Sequence, residues 1–180
     1  MKAFATATIL AVLLAGAGCG TEENPEAQAR TPHVSLHIAA LQGNVAIVRE
    51  HIEAGSDLNA KDDYGSSALT IAATFGKTEV ARALIEAGAD LSTTNGAGAT
   101  PLHVAAFLCR TEIVRALLDQ GADKSAVDEA GATPLASVAA PFDQVKVYYD
   151  RIGKDLAPLG LRLDYERIKQ TRPEIAAMLR

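Results

Sequence analysis

A period of 33 residues is the feature that most constrains how this chain can fold. Leucines, two sets of glycines and one set of aspartates all recur at that interval. The positions are Leu36, Leu69, Leu102 and Leu135; Gly65, Gly98 and Gly131; Gly55, Gly88 and Gly121; and Asp57, Asp90 and Asp123. A unit of this length cannot bury its apolar face alone, so the pattern predicts units that stack into one continuous core.

One complete unit lies in the stretch Ala99–Asp123. Its first helix is predicted to open at Thr100 and Pro101, because threonine caps a helix and proline fits the first helical position. A second helix follows from Glu112, with apolar residues at helical spacing. Gly121 is expected to end it, since glycine adopts a left-handed conformation without a Cβ penalty.

The six residues 100–105, TPLHVA, match in full the T-P-L-H-x-A signature of the ankyrin repeat family, which the chain resembles. Weaker versions lie at 35–39, 67–72 and 133–137. The resemblance covers 34–140 strongly. It implies an all-α ankyrin-repeat solenoid of about four helix-turn-helix repeats, with β-turn tips and a modified C-terminal helical cap.

The predicted organisation has three parts: a signal peptide at 1–19, a flexible linker at 20–32 and an ankyrin-repeat domain at 33–180. The repeats are predicted at about 33–61, 62–94, 95–127 and 128–163, followed by a terminal cap at 164–180.

The fourth repeat is expected to contain an insertion, because Gly160 lies 39 residues after Gly121 and faintly repeats its turn. Residues 143–156 are helical by pattern. Thr171 and Glu174 have the spacing of a capping box, which predicts that the last helix starts there.

The N-terminal residues predict export. A lysine at position 2 and an apolar run at 3–17 are typical of a signal peptide and too short for a confident membrane span. Residues 14–19, LAGAGC, resemble a bacterial lipobox, which implies lipidation of Cys19, although Gly16 stands where that family usually has a large aliphatic residue. Two outcomes stay open: a periplasmic or membrane-anchored lipoprotein, or a plain secreted protein.

Charge and composition argue against nucleic acid as a partner, because 22 acidic residues outnumber 17 basic ones and the net charge is -5. His37 and His103 occupy the signature position where the resemblance implies a hydrogen bond to the neighbouring turn. With His33 and His51 elsewhere, no zinc spacing is present, and neither a metal nor a cofactor is expected.

Cys109 takes the place of the glycine that usually ends a first helix in the family. Because no base or orienting group is indicated nearby, we expect a partly buried bystander rather than a nucleophile. The chain is therefore expected not to be an enzyme, and thiol chemistry at Cys109 is the minor alternative.

The resemblance implies partner binding through the turn tips and the inner faces of the first helices. The candidate residues are Lys61, Asp63, Tyr64, Thr94 and Glu129 at the tips and Leu41, Phe75, Phe107 and Leu108 at the ends of the first helices. The last four would form an apolar strip of the kind that supports a binding hot spot. The alternative is that the C-terminal tail folds over them.

The sequence thus predicts a monomeric, non-enzymatic protein-protein interaction module on an exported scaffold. An immunity or inhibitor protein that masks the active site of a partner enzyme is the alternative, since an acidic concave surface could cover a basic cleft.

Overall fold

The computed structural model describes residues 32–180, so the predicted signal peptide, Cys19 and nearly all of the linker lie outside the described residues. The first helices of four successive pairs are α1 (Leu36–Gln42), α3 (Ala68–Phe75), α5 (Pro101–Phe107) and α7 (Pro134–Ala139). The second helices of the first three pairs are α2 (Val45–Glu53), α4 (Thr78–Glu86) and α6 (Thr111–Asp119). Two longer helices complete the chain: α8 (Phe142–Leu156) and α9 (Tyr165–Leu179).

The helices form two parallel layers, as the period predicts. In the inner layer α1, α3, α5 and α7 pack side by side, and in the outer layer α2, α4 and α6 do the same. Pairs of small residues let the inner helices approach one another. These pairs, each 0% exposed, are Ala39 and Ala40, Ala72 and Ala73, and Ala105 and Ala106. The predicted all-α solenoid is confirmed.

Helix α9 occupies the outer position of the fourth helix pair. It packs against α7 within its own repeat and against α6 of the preceding one, which are the contacts that α6 itself makes with α5 and α4. The segment predicted as the terminal cap, 164–180, therefore forms the last helix of the stack and takes the outer position of the fourth helix pair. Residues 140–164, which include α8, form an insertion between the two helices of that repeat.

The start of α9 also differs from the prediction. The helix begins after Asp164, whose Oδ1 accepts a hydrogen bond from the backbone N–H of Arg167 at 3.0 Å, and Pro173 lies inside it. Proline removes one backbone donor from a helix interior. The helix continues because residues on both sides of Pro173 are buried on one face. These include Ile168, Ile175 and Leu179. Among the helices of residues 32–180, none has the length and apolar character needed to cross a membrane.

Three turn tips, at residues 61–65, 94–98 and 127–131, follow one design, and together we call them the tip ridge. In each, an Asx side chain accepts two hydrogen bonds through Oδ1, from the backbone N–H groups two and four residues further on. The acceptors are Asp62, Asn95 and Asp128, at 2.8–3.1 Å. Adjacent tips touch through backbone, since the N–H of Glu129 donates to the carbonyl of Ala97 at 3.2 Å.

Gly98→Ala should destabilise the protein more than Gly131→Ala, although both glycines have left-handed backbone, with φ of 71° and 72°. A Cβ at Gly98 would lie 2.8 Å from the backbone nitrogen of Glu129, whereas one at Gly131 would meet nothing within 4 Å. Gly131→Ala should cost about 1 kcal/mol for the conformation alone. We expect Gly98→Ala to lower the free energy of unfolding by at least ~1 kcal/mol more, measured by urea denaturation. Equal losses would contradict close packing between the tips.

Candidate protein-binding surface

The tip ridge presents two large apolar side chains to solvent on an acidic background. Tyr64 is 84% exposed and Val127 is 58% exposed. Within the three tips, Lys61 is the single cation. The carboxylates are Asp62, Asp63, Asp128 and Glu129, so the ridge carries one positive and four negative charges, or -3. An exposed tyrosine beside charged groups has the composition of an interface anchor.

Four of the five predicted tip residues are exposed: Lys61, Asp63, Tyr64 and Glu129, while Thr94 is half-buried. The 33-residue register brings them onto one ridge. Their backbone is fixed by the turn hydrogen bonds and by close contact, because a Cβ at Gly96 would lie 3.0 Å from the carbonyl oxygen of Tyr64. A surface whose backbone is already ordered loses little entropy when a partner binds.

The expected apolar strip is divided by the insertion. Leu41 and Phe75, at the ends of α1 and α3, are half-buried. Leu108 is 2% exposed and belongs to the core. The ring of Phe107 stacks on that of Tyr149, with centroids 4.2 Å apart and planes at 8°. Leu108 is therefore not accessible, whereas Phe107 is half-buried like Leu41 and Phe75, with Tyr149 of the insertion stacked on its ring.

Helix α8 covers this part of the concave face. Its apolar residues at positions 145, 149, 152 and 156 recur at intervals of three or four, so they share one side of the helix. Tyr149 at the centre of that side is 0% exposed. The rings of Phe142 and Tyr165 pack around it at centroid distances of 5.7 and 6.5 Å.

A buried arginine links the insertion to the last repeat. Arg172 on α9 is 4% exposed; its Nη1 donates to the Tyr149 hydroxyl at 2.9 Å and its Nη2 to the carbonyl of Ala140 at 2.6 Å. The hydroxyl of Tyr149 in turn donates to the carbonyl of Phe107. This chain of hydrogen bonds supplies polar partners for groups that would be costly to bury without them. Burial raises the pKa of Tyr149 to about 12.

A cavity of about 370 Å³ lies between α8 and the concave face. One wall is apolar and includes Val104 and Phe107 of α5 with Ile152 and Leu156 of α8. The other wall is polar and is made by hydroxyl, amide and carboxylate side chains. These are Ser66, Thr70, Thr74, Asn95, Asp128 and Ser137, with His103 beside them. The volume falls in the range of ordinary ligand sites.

Three histidines of the repeats, His37, His51 and His103, make structural hydrogen bonds. His103 accepts from the backbone N–H of Thr100 at Nδ1, so Nε2 carries the proton and donates to the carbonyl of Ala132 in the next turn at 3.0 Å. His37 reaches the carbonyl of Ala60 at 2.9 Å. The hydrogen bond to the neighbouring turn that the resemblance implied for His37 and His103 is confirmed. His51 bonds the carbonyl of Val34 at 2.8 Å and Ser56 at 2.9 Å.

Cys109 has left-handed backbone with φ of 52°, in the register of Gly43 and Gly76, which end α1 and α3 in the same way. Its side chain is 0% exposed, with Sγ 3.6 Å from the carbonyl oxygen of Ile168. It is thus more deeply buried than expected. Burial raises the pKa of the thiol to about 11, so the nucleophilic thiolate is disfavoured at neutral pH.

Sequence reasoning missed Tyr149 and Arg172 as the residues that seat the insertion. The spacing of apolar residues in α8 could have indicated a buried face. Nothing local marks Arg172, because an arginine on a helix is usually solvated.

Stacked helix pairs of one period, joined by Asx-capped tips, define a repeat solenoid with an extended concave surface. The model of the ankyrin repeat family, in three copies, matches residues 36–128, just over half of the chain. The chain belongs to this family, whose repeats are generally protein-protein interaction modules and typically non-enzymatic. No curated protein matches the chain significantly.

Tyr149→Phe should lower the free energy of unfolding by about 1–3 kcal/mol, because the carbonyl of Phe107 loses its donor inside the protein. Tyr148→Phe is the matched control, because Tyr148, the preceding residue on α8, is 58% exposed and its substitution should change stability little. Equal effects of the two substitutions would contradict the hydrogen-bonded chain.

The same variant changes the pH dependence. The folded pKa of Tyr149 lies above the ordinary value of 10, so its contribution is fully present below pH 10 and is lost as the pH rises towards 12. Unfolding of the wild-type protein between pH 10 and 12 should therefore show a steeper loss of stability than unfolding of Tyr149→Phe.

Proposed function

We propose that this protein is a non-enzymatic scaffold, exported and held at a membrane surface through Cys19, that recognises another protein through the tip ridge. The observation that carries the proposal is Tyr64, which is 84% exposed on a tip whose backbone is held by hydrogen bonds to Asp62. Family membership supports the general role in protein binding.

Recognition by such a ridge is a matter of shape and charge. The tyrosine supplies a large contact area with few rotatable bonds, and the neighbouring carboxylates favour a partner with a basic surface. The half-buried Leu41 and Phe75 extend the apolar contact onto the first two repeats, while α8 covers the equivalent region of the third.

An immunity or inhibitor protein is the second candidate, favoured by the charge of -3 on the ridge. Such a surface fits a basic active-site cleft. The identity of the captured partner separates the two functions: an enzyme whose activity falls in proportion to complex formation supports the inhibitor, and a partner with unchanged activity supports the scaffold.

A photo-crosslinking amino acid at position 64 should give a discrete covalent adduct with one protein in intact cells. The same amino acid at position 148, on the exposed side of α8, is the matched control and should give none. Tyr64→Ser should then weaken binding of the purified partner by at least ~30-fold, the effect of a hot-spot residue worth about 2 kcal/mol. Adducts of equal yield at 64 and 148, or no adduct at 64, would refute the ridge as the binding surface.

Anchoring through Cys19 is tested separately. Metabolic labelling with a fatty acid should mark the wild-type protein and not Cys19→Ala, while Cys109→Ala should be labelled like the wild type. A soluble, unlabelled wild-type protein would contradict the anchor and leave the binding surface unaffected.

A further inference from the structure

We propose that the cavity beneath α8 receives a lysine or arginine side chain from the partner, with Asp128 as its counter-charge. The inference rests on the proposed function, because it names the chemistry by which a protein partner is recognised beside the tip ridge. Two properties of the cavity carry it: an apolar wall suited to an aliphatic stem and a carboxylate whose charge the fold does not use.

The apolar wall comes from both sides of the cavity. Val104 and Phe107 face it from α5, and Ile152 and Leu156 face it from α8. The stem of a lysine or arginine is three or four methylene groups long and packs against apolar surfaces while its charged end stays at a polar site. A cavity of about 370 Å³ has room for such a side chain and accompanying water.

The charge of Asp128 is not required by the turn that it stabilises. Its Oδ1 accepts hydrogen bonds from the N–H groups of Ala130 and Ala132, both at 2.9 Å. Asn95, one repeat earlier, accepts the equivalent two bonds at 2.9 and 3.1 Å with a neutral amide. The structural role therefore needs an oxygen at this position and not a carboxylate.

The second carboxylate oxygen of Asp128 is where a cation would bind. The ion pairs formed within residues 32–180 join Arg82 and Arg115 to Glu112, Lys146 to Asp150, and Arg151 to Asp155, and none of them involves Asp128. Arginine or lysine bound to a carboxylate in a partly buried site makes a charge-assisted hydrogen bond, which is stronger than one between neutral groups.

Charge around the opening favours the same occupant. Asp128 and Glu129 belong to one tip, and the ridge as a whole carries -3. A field of this sign raises the local concentration of cations and repels an anionic segment. A neutral apolar ligand would fill the wall but leave the carboxylate without a partner.

The experiment uses n-butylguanidinium, an analogue of the arginine side chain that is one carbon longer, and n-butanol as its uncharged counterpart, titrated into the isotopically labelled full chain by NMR. We expect butylguanidinium to shift the amide signals of Val104, Ala130, Ala132 and Ile152 and to bind more tightly than butanol. Asp128→Asn should weaken its binding about tenfold, the effect of one hydrogen bond to a charged group.

Asp62→Asn is the matched control. Asp62 makes the same two turn bonds, at 2.9 and 2.8 Å, but lies outside the residues that line the cavity. This variant removes the same charge from the ridge and should leave butylguanidinium binding within about twofold of the wild type, because Asp62 does not line the cavity and salt screens charges at a distance. Both variants should keep native amide spectra, because Asn95 shows that an asparagine supports the turn.

Three results would overturn the proposal: equal weakening by Asp62→Asn and Asp128→Asn, equal binding of butanol and butylguanidinium, or shifts confined to the tips with none at Val104 or Ile152. A partner that crosslinks at position 64 and binds Asp128→Asn as tightly as wild type would also refute it, while leaving the proposed function intact. Loss of the crosslink at 64 would refute the proposed function instead.

Discussion

Stacking between neighbouring repeats is the interaction on which the whole structure depends. No helix pair here buries its apolar face within itself, so each relies on the next for cover. The fully buried alanine pairs of the inner layer make close approach possible, and Leu84 and Leu117 of the outer helices are fully buried. The order of the repeats, the alignment of their tips and the concave face all follow from this one-dimensional packing.

The fourth repeat shows how the stack accommodates an insertion. Its two helices are separated by 25 residues, 140–164. Helix α9 still takes the outer position because its buried face packs against α6 and α7. The inserted α8 then lies over the concave face, fixed by Tyr149 and the buried Arg172. A buried charge held only by a hydroxyl and a carbonyl costs desolvation energy, and the rings of Phe107 and Phe142 pack on Tyr149 beside it.

The insertion changes where a partner can bind. It stacks Tyr149 on the half-buried Phe107 and leaves a cavity between α8 and the concave face. The tip ridge is left as the most exposed apolar and acidic surface of the repeats. Asp128 belongs to both the ridge and the cavity. Its Oδ1 accepts a hydrogen bond within a ridge turn, and the residue also lines the cavity.

The sequence by itself determined the repeat period, the all-α fold, the helix at 143–156 and the residues at the tips, because each depends on local capping, turn chemistry and periodicity. It did not determine which helix completes the fourth repeat or where α8 packs. Those were decided by contacts between residues far apart in the chain, such as Tyr149 with Phe107, 42 positions away, and Arg172 with Ala140, 32 positions away. Pairings of this kind leave no periodic trace, since only the folded stack brings the two partners together.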